Sequence, residues 1–328
     1  MNIPWLRSLE EDWKKRVEHA RIPHAILLYG AAGVGKRALA IWIARERLGL
    51  PGIAEGSQYP LKVPEHADMH WISPLEDKKT IGIEQIRALV GDFGLTSYCG
   101  GGKVAVIEPA NSMTANAANS LLKTLEEPPG DALLVLVVDR MGHLPATILS
   151  RCQRVNVGLP AREDSLAWLD HLQPGTTWGA ALRLAGEAPL AAIGAVEQLD
   201  QASSMLSEFT ALAARRASPI DIAARWKDYG AQFWLEWLHR TVQEGIKRAI
   251  CGASGTIEGG LPETVLSRID RRNLFCYLDT ISRIRSQAAG SFNEQLTLES
   301  LLIDWTGGLK DCHRSYNPGE LMPAAKSR

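Results

Sequence analysis

Short, fully apolar runs alternate with stretches of helical period through the first half of the chain, while the second half keeps the helical period alone. Ala25-Ile26-Leu27-Leu28-Tyr29 is an apolar run ending at Gly30, followed by more glycines and then by helical spacing from Ala38 to Leu48. A run this short and this apolar reads as a strand buried on both faces. The same reasoning predicts strands at about 69–73, at Lys103-Val104-Ala105-Val106-Ile107, at Leu133 to Val138 and at Arg154 to Val157. Helices are expected over 8–19, 83–95 and 114–127, the last ended by Pro128-Pro129. Residues 49–65 carry Pro51, Gly52, Gly56, Pro60 and Pro64 and read as a loop, and Ser97 to Gly102 as a turn. Buried strands separated by helices predict a parallel sheet covered on both faces.

After Pro160 almost no strand signal remains. Residues 161–200 predict a small helical unit, with helices near 163–172, 176–185 and 189–198. A longer helical unit follows, with helices near 201–215, 230–250, 271–289 and 295–307 and a glycine-rich loop from Gly252 to Gly260. The polar residues from Ser315 to Arg328, with Pro318 and Pro323, are expected to be disordered. No internal repeat is visible. The expected division is therefore 1–160, 161–202, 203–310 and a tail at 311–328.

Composition narrows the function classes. The 36 Lys and Arg nearly cancel the 37 Asp and Glu, giving a formal net charge of -1. A protein that coats nucleic acid carries a basic excess, so the charge argues against that class without excluding a local basic patch. The five Cys, at 99, 152, 251, 276 and 312, form no CxxC pair, which favours neither a disulfide framework nor a zinc site. No run of about twenty apolar residues exists, and Met1-Asn2-Ile3-Pro4-Trp5 does not open a leader pattern. A soluble cytoplasmic chain is expected.

The candidate chemistry sits after the first strand. Gly30-Ala31-Ala32-Gly33-Val34-Gly35-Lys36-Arg37 fits G-x-x-x-x-G-K, the loop whose backbone N–H groups wrap a phosphate at a helix N-terminus. Lys36 is placed to reach the β and γ phosphates. The next position in a hydrolytic loop is a Ser or Thr whose hydroxyl ligates Mg²⁺. Arg37 stands there instead, and a guanidinium is a cation and a donor only. The strand at 103–107 runs into Glu108-Pro109, so one carboxylate remains but proline replaces the acid that would position water. The strand at 133–138 ends in Asp139 where a polar γ-phosphate sensor is expected. Phosphoryl transfer depends on positioning and charge stabilisation, so these changes together predict a site without hydrolysis. A weak nucleotide site built from Gly30, Gly33, Gly35, Lys36, Arg37 and Glu108 stays open as an expectation.

Ala118-Asn119-Ser120-Leu121-Leu122-Lys123-Thr124-Leu125-Glu126-Glu127-Pro128-Pro129 resembles the signature helix of bacterial clamp-loader ATPases. Leu144 to Cys152 resembles their Ser-Arg-Cys segment, here Ser150-Arg151-Cys152. Pro4-Trp5-Leu6, His24-Ala25, Ile81 to Arg87, and Phe292 to Leu296 leading into Leu301-Leu302-Ile303 also fit. Together these resemble the delta-prime family of the DNA polymerase III clamp loader, strongly in 1–160 and less so beyond. The resemblance implies an AAA+-type α/β P-loop domain with a parallel sheet, then a small helical lid domain, then an all-α collar domain for oligomerisation. It implies a stator-like, non-hydrolysing module that works with gamma/tau ATPases and delta to load the sliding clamp on primer–template DNA. It further implies that Arg151 acts as an arginine finger on a neighbour's ATP, a role suited to a planar, permanently charged fork. As a subunit the chain would belong to a DNA-directed DNA polymerase holoenzyme without intrinsic activity of its own. No cofactor is expected, and no zinc, because the stretch at 49–66 lacks the cysteines many relatives carry there. No membrane partner is expected.

Several residues have blander readings. Arg151 could cap a helix end or pair with a carboxylate. Lys123 with Glu126 and Glu127 reads as charge pairing along an exposed helix face. His66 and His70 read as a turn entering a strand, and Trp234 and Trp237 as core packing or an interface. Lys78-Lys79 reads as a solvated turn, and no arginine stands in Gly186-Glu187-Ala188-Pro189-Leu190 to touch a nucleotide. The rivals are a working ATPase using Glu108 for Mg²⁺ and a nucleotide kinase, the latter disfavoured by the helical second half.

Overall fold

The computed structural model describes residues 3–19, 21–53, 57, 59–100, 102–139, 141, 144–251, 260–286 and 292–310. The expected loop from Gly252 to Gly260, apart from Gly260 itself, and the tail at 311–328 lie outside the described residues. The chain divides into two compact units, Met1–Gly194 and Ala195–Arg328.

In the first unit a short 3-10 turn, Pro4–Leu6, leads into α1 (Arg7–Glu18). Then come β1 (Ala25–Tyr29), α2 (Lys36–Arg47), β2 (Met69–Ile72), α3 (Ile83–Phe93), β3 (Val104–Ile107) and α4 (Ala115–Glu126). β4 (Leu133–Val138), α5 (Ala146–Leu149) and β5 (Gln153–Asn156) complete the sheet. Helices α6 (Arg162–Leu172), α7 (Trp178–Leu184) and α8 (Pro189–Ala195) follow. The segment expected as a small helical domain thus packs within the same compact unit as the sheet up to Gly194.

The sheet is parallel with order β2-β3-β4-β1-β5. β1, β3 and β4, the apolar runs, are the buried interior strands, whereas β2 and β5 are edges and only half covered. Leu27, Ala105, Ile107, Leu134 and Leu136 pack against Ile86 and Leu89 of α3 and Leu121 and Leu125 of α4. Thr114 caps α4 by accepting from the Ala117 N–H at 3.2 Å, which satisfies one of the free donors of its first turn. Pro128-Pro129 ends it. Because every strand runs the same way, all chain reversals fall at one of two sheet edges, and the loops at the C-terminal edge form the usual ligand crevice.

The turn after α3 is strapped to the start of β2 by a buried carboxylate. Asp68 is fully buried and accepts from the Tyr98 N–H (2.9 Å), the Ser97 hydroxyl (3.0 Å) and the Cys99 N–H (3.0 Å). Burial pushes its carboxyl up, but these hydrogen bonds outweigh burial and hold it below the usual carboxylate range. His66, whose Nδ1 accepts from the Asp68 N–H, lies beside Asp68 and Cys99. That trio has the donor types of a metal site, but the Asp68 oxygens are already engaged by backbone and hydroxyl, and a loop clasp accounts for it.

The second unit is helical: α9 (Leu199–Ala213), α10 (Pro219–Lys227), α11 (Ala231–Cys251), α12 (Glu263–Leu266), α13 (Arg271–Arg285) and α14 (Glu294–Thr306). α10 lies outside the helices that the periodicity predicts. Its nine residues are too few for a clear period, yet its start signals stand in the sequence: Ser218 accepts from the Asp221 N–H, and Pro219 occupies the first turn. The tryptophans are core. Trp305 stacks on Phe209 at 4.0 Å between ring centroids, and its indole N–H donates to the Phe209 carbonyl at 3.0 Å. Trp226 meets Trp237 edge-on at 5.3 Å and donates to Glu208 at 2.7 Å. Trp234 is fully buried. Among the described residues no single helix is long and apolar enough to cross a membrane.

Replacing Trp305 with Ala removes a stacked, fully buried ring and its hydrogen bond to the Phe209 carbonyl. The expected loss is about 3–5 kcal/mol, measured by urea denaturation; a loss below about 1 kcal/mol would contradict this packing.

Candidate functional site: a glycine-loop cradle with internally paired charges and an arginine at the opposite sheet edge

The glycine loop closes over the C-terminal end of β1 and delivers Lys36 at the start of α2. Its glycines are sterically required. A Cβ on Gly30 would lie 2.1 Å from the Val157 carbonyl oxygen, and one on Gly33 would lie 2.4 Å from the Ala191 Cβ. The Trp5 indole N–H donates to the Val34 carbonyl at 2.8 Å, so the N-terminal turn clasps the loop from the side.

Sequence pattern alone places Lys36 where it could reach a phosphate. In the fold it is turned onto its own chain. Lys36 is only 5% exposed, and its ammonium donates to the Gly30 carbonyl at 2.8 Å and the Ala31 carbonyl at 2.6 Å. It also pairs with Asp139 at 2.7 Å. An ammonium has three N–H donors, and these three acceptors account for them. Asp139, which follows β4, therefore sits where the lysine's anionic partner would be. Arg37 is paired with Glu108, which follows β3, and its guanidinium lies over the Trp71 ring at 4.7 Å. Burial raises the Glu108 carboxyl above its ordinary range, and Arg37 opposes that rise. Two cations and two carboxylates cancel within the cradle. A phosphate arriving at the N-terminus of α2 would meet the Asp139 charge before it met a free lysine.

The cradle is also covered. The Leu190 N–H donates to the Gly33 carbonyl at 3.0 Å, which brings the start of α8 onto the loop. A cavity of about 560 Å³ remains beside it, lined by Lys36, Arg37, Tyr59, Pro60, Leu190 and Ala191 among others. Of the sequence-predicted set, Gly30, Gly33, Gly35, Lys36, Arg37 and Glu108 are thus brought together. Asp139, Trp71 and Leu190 join them. The β4 ending had marked Asp139 as an anomaly, but nothing in the sequence announced that it would pair with Lys36.

Arg151 lies elsewhere. It follows α5 and enters β5, and Gln153 of β5 is in register with Ile26 near the start of β1. Lys36 follows the other end of β1. With a rise of about 3.3 Å per residue, the length of a strand separates Arg151 from the cradle, at opposite edges of one parallel sheet. Arg151 cannot complete the phosphate cradle of its own chain. Its Nε donates to Glu126 Oε1 at 2.9 Å, its Nη2 pairs with the same oxygen, and its Nη1 donates to the Thr147 carbonyl at 3.0 Å and the Ser150 hydroxyl oxygen at 3.2 Å. Both bland readings of Arg151, helix-end cap and carboxylate partner, are therefore present in the free chain. They correct the reading of Glu126: it pairs with Arg151 from 25 positions away rather than along its own helix. The signal missed was that two sequence segments singled out separately, the signature helix and the Ser-Arg-Cys segment, end side by side.

Ser150 is exposed and closes the α5 turn by donating to the Thr147 carbonyl at 3.1 Å. Cys152 is the anchor, buried in the cluster that includes Leu121, Leu125, Leu144 and Ile148. Burial pushes its thiol up to about 11, so it is protonated and inert at neutral pH. Cys99, by contrast, is exposed. Iodoacetamide at pH 8 is expected to label Cys99 in the native chain at least about tenfold faster than Cys152, because only a thiolate reacts. Peptide mass spectrometry after timed quenching reads this, and equal labelling would overturn the buried assignment.

Residues 6–159 match the family model described as DNA polymerase III, delta subunit. The chain is 40% identical over 198 residues to DNA polymerase III subunit delta-prime of Pseudomonas aeruginosa, covering 58% of this chain and 60% of that one. It is 28% identical over 315 residues to subunit delta-prime of Escherichia coli K12, covering 92% and 94%. With subunit delta-prime of Bacillus subtilis it shares 39% over 142 residues, covering 42% and 43%. The matched stretch thus spans 60% of the Pseudomonas relative and 43% of the Bacillus one. A solved gamma subunit-related protein of DNA polymerase III from Thermotoga maritima aligns at 19% identity and a TM-score of 0.49, covering 93% of this chain and 100% of that one. The family model thus matches the sheet-bearing part of the chain, and the Escherichia coli relative aligns nearly end to end, so the chain is similar to DNA polymerase III delta-prime subunits over most of its length.

Proposed function

We propose that this chain is a clamp-loader subunit in DNA replication. It is a stator-like AAA+ module that does not hydrolyse ATP and presents Arg151 to the ATP of a neighbouring subunit. The similarity to delta-prime subunits supports the clamp-loader assignment. The division between two sheet edges supports the finer reading. At the C-terminal edge the phosphate cradle is neutralised from within, with Lys36 engaged by Gly30, Ala31 and Asp139. At the N-terminal edge a guanidinium stands at the surface, out of reach of that cradle. A charged fork that cannot serve its own site suits a site completed by another chain.

Its partners in this reading are the gamma/tau ATPases and delta, with the sliding clamp and primer–template DNA met in the complex, in the cytoplasm. Hydrolysis is made to depend on assembly, because the neighbour's ATP lacks charge stabilisation until this chain docks. No metal or cofactor is needed in this chain for that role. The rival reading, an ATPase in its own right, has to free Lys36 from Asp139 and recruit Mg²⁺ to a Glu108 already paired with Arg37.

The test is single-turnover ATP hydrolysis by the loader assembled with and without substitutions in this chain. Arg151→Ala is expected to remove the phase belonging to one site, slowing it about 10³-fold, with assembly intact. Arg151→Lys should not restore it, since a lysine cannot supply the planar fork. Lys36→Ala should leave hydrolysis by the loader unchanged. An intact phase in Arg151→Ala would sink the finger reading, and loss of a phase in Lys36→Ala would favour the rival.

A further inference from the structure

Glu126 is held in a way that neither helix stability nor folding explains. It is the last residue of α4, where the carboxylate faces the negative end of the helix dipole, an unfavourable place for an anion. Its partner Arg151 is 35% exposed and Glu126 51% exposed. Ion pairs this open to water contribute little to stability. What the pair does supply is direction. Glu126 Oε1 takes both N–H groups on one edge of the guanidinium, Nε and Nη2. The Thr147 carbonyl and the Ser150 hydroxyl oxygen take Nη1. The plane of the fork is fixed from two sides.

The backbones that carry the two side chains are fixed as well. His24 Nε2 bonds the Leu125 carbonyl at 3.0 Å, tying the last turn of α4 to the residue before β1. Leu125 on one side and Ile148 and Cys152 on the other are buried in one core cluster. The Arg151 N–H donates to the Ile148 carbonyl at 3.1 Å. Glu126 and Arg151 are therefore two side chains on a rigid corner. A long arginine that is otherwise free in solvent populates many rotamers, and most would aim the fork away from a docked phosphate.

We infer that Glu126 is a positioning residue for Arg151: its carboxylate oxygen pre-orients the guanidinium so that a neighbour's γ-phosphate meets it already aimed. This inference rests on the reading of Arg151 as a finger. The element needed is an acceptor atom at that place, not the negative charge. Glutamine keeps such an oxygen and alanine does not.

The experiment uses the assembled loader and follows the one-site phase that Arg151→Ala removes. Glu126→Ala is expected to slow that phase about tenfold, as loss of a near-attack orientation does, with the half-saturating ATP concentration unchanged. Glu126→Gln should stay within about twofold of the unsubstituted chain. Glu127→Ala, one residue on and also exposed, serves as the control and should leave the phase alone. Adding Glu126→Ala to Arg151→Ala should change nothing further. Co-purification of each variant with the partner subunits verifies that assembly is intact. An unchanged or faster phase in Glu126→Ala overturns the inference, as does a Glu126→Gln phase as slow as Glu126→Ala. If Arg151→Ala itself leaves the phase intact, the finger reading falls. If Arg151→Ala abolishes it and Glu126→Ala does not slow it, only the positioning role falls.

Discussion

A parallel sheet whose interior strands are apolar on both faces has to be covered on both faces, and that constraint organises the first unit. Helices occupy the faces, so chemistry is left to the two edges where the chain reverses. β1, β3 and β4 end together at one edge and deliver Lys36, Glu108 and Asp139 to the same crevice. The entry to β5 and the end of α4 meet at the other edge and deliver Arg151 and Glu126. The two constellations are separated by the length of the strands that connect them. That separation is consistent with the outward role proposed for Arg151.

The cradle keeps the form of a phosphate site while its charges are satisfied internally. A P-loop lysine usually faces an anion that arrives from solution. Here the carboxylate of Asp139 is supplied from the end of β4, the strand beside β1 in the sheet, together with two loop carbonyls. Arg37 closes a second pair with Glu108 and lies over Trp71. The Leu190 N–H adds a backbone hydrogen bond across the loop. These contacts make the glycine loop a structural joint between the sheet and the helices that follow it. The loop's glycines remain necessary for that joint, since neighbouring backbone and Ala191 occupy the space a Cβ would need.

The arginine corner is built on the opposite principle. Its anchors, Ile148, Cys152 and Leu125, are buried and apolar, while its polar tips are exposed. In the proposed role, rigid backbone under an oriented fork would make an electrostatic contact effective with little reorganisation when a partner arrives. The second unit shows the same economy in another form. Its stacked and edge-on aromatic rings fill a helical core, with the indole nitrogens of Trp226 and Trp305 satisfied by Glu208 and the Phe209 carbonyl.

The strands are legible in the amino-acid pattern, because burial on both faces leaves runs with nowhere to hide a polar residue: Ala25–Tyr29, Val104–Ile107 and Leu133–Val138 stand out from pattern alone. So are the glycine loop, its departures at Arg37, Pro109 and Asp139, and the two segments that carry the family resemblance. α10 was legible only through Ser218 and Pro219, since nine residues hold too little period to stand out. Which charges meet is settled by the fold. Lys36 and Asp139 are 103 positions apart, and Arg151 and Glu126 are 25 apart. Neither pairing follows from local period or spacing. Each arises because parallel strands bring distant chain reversals to one edge. The motif therefore announced a phosphate site, and the sheet decided that its lysine is already answered and that the arginine faces the other way.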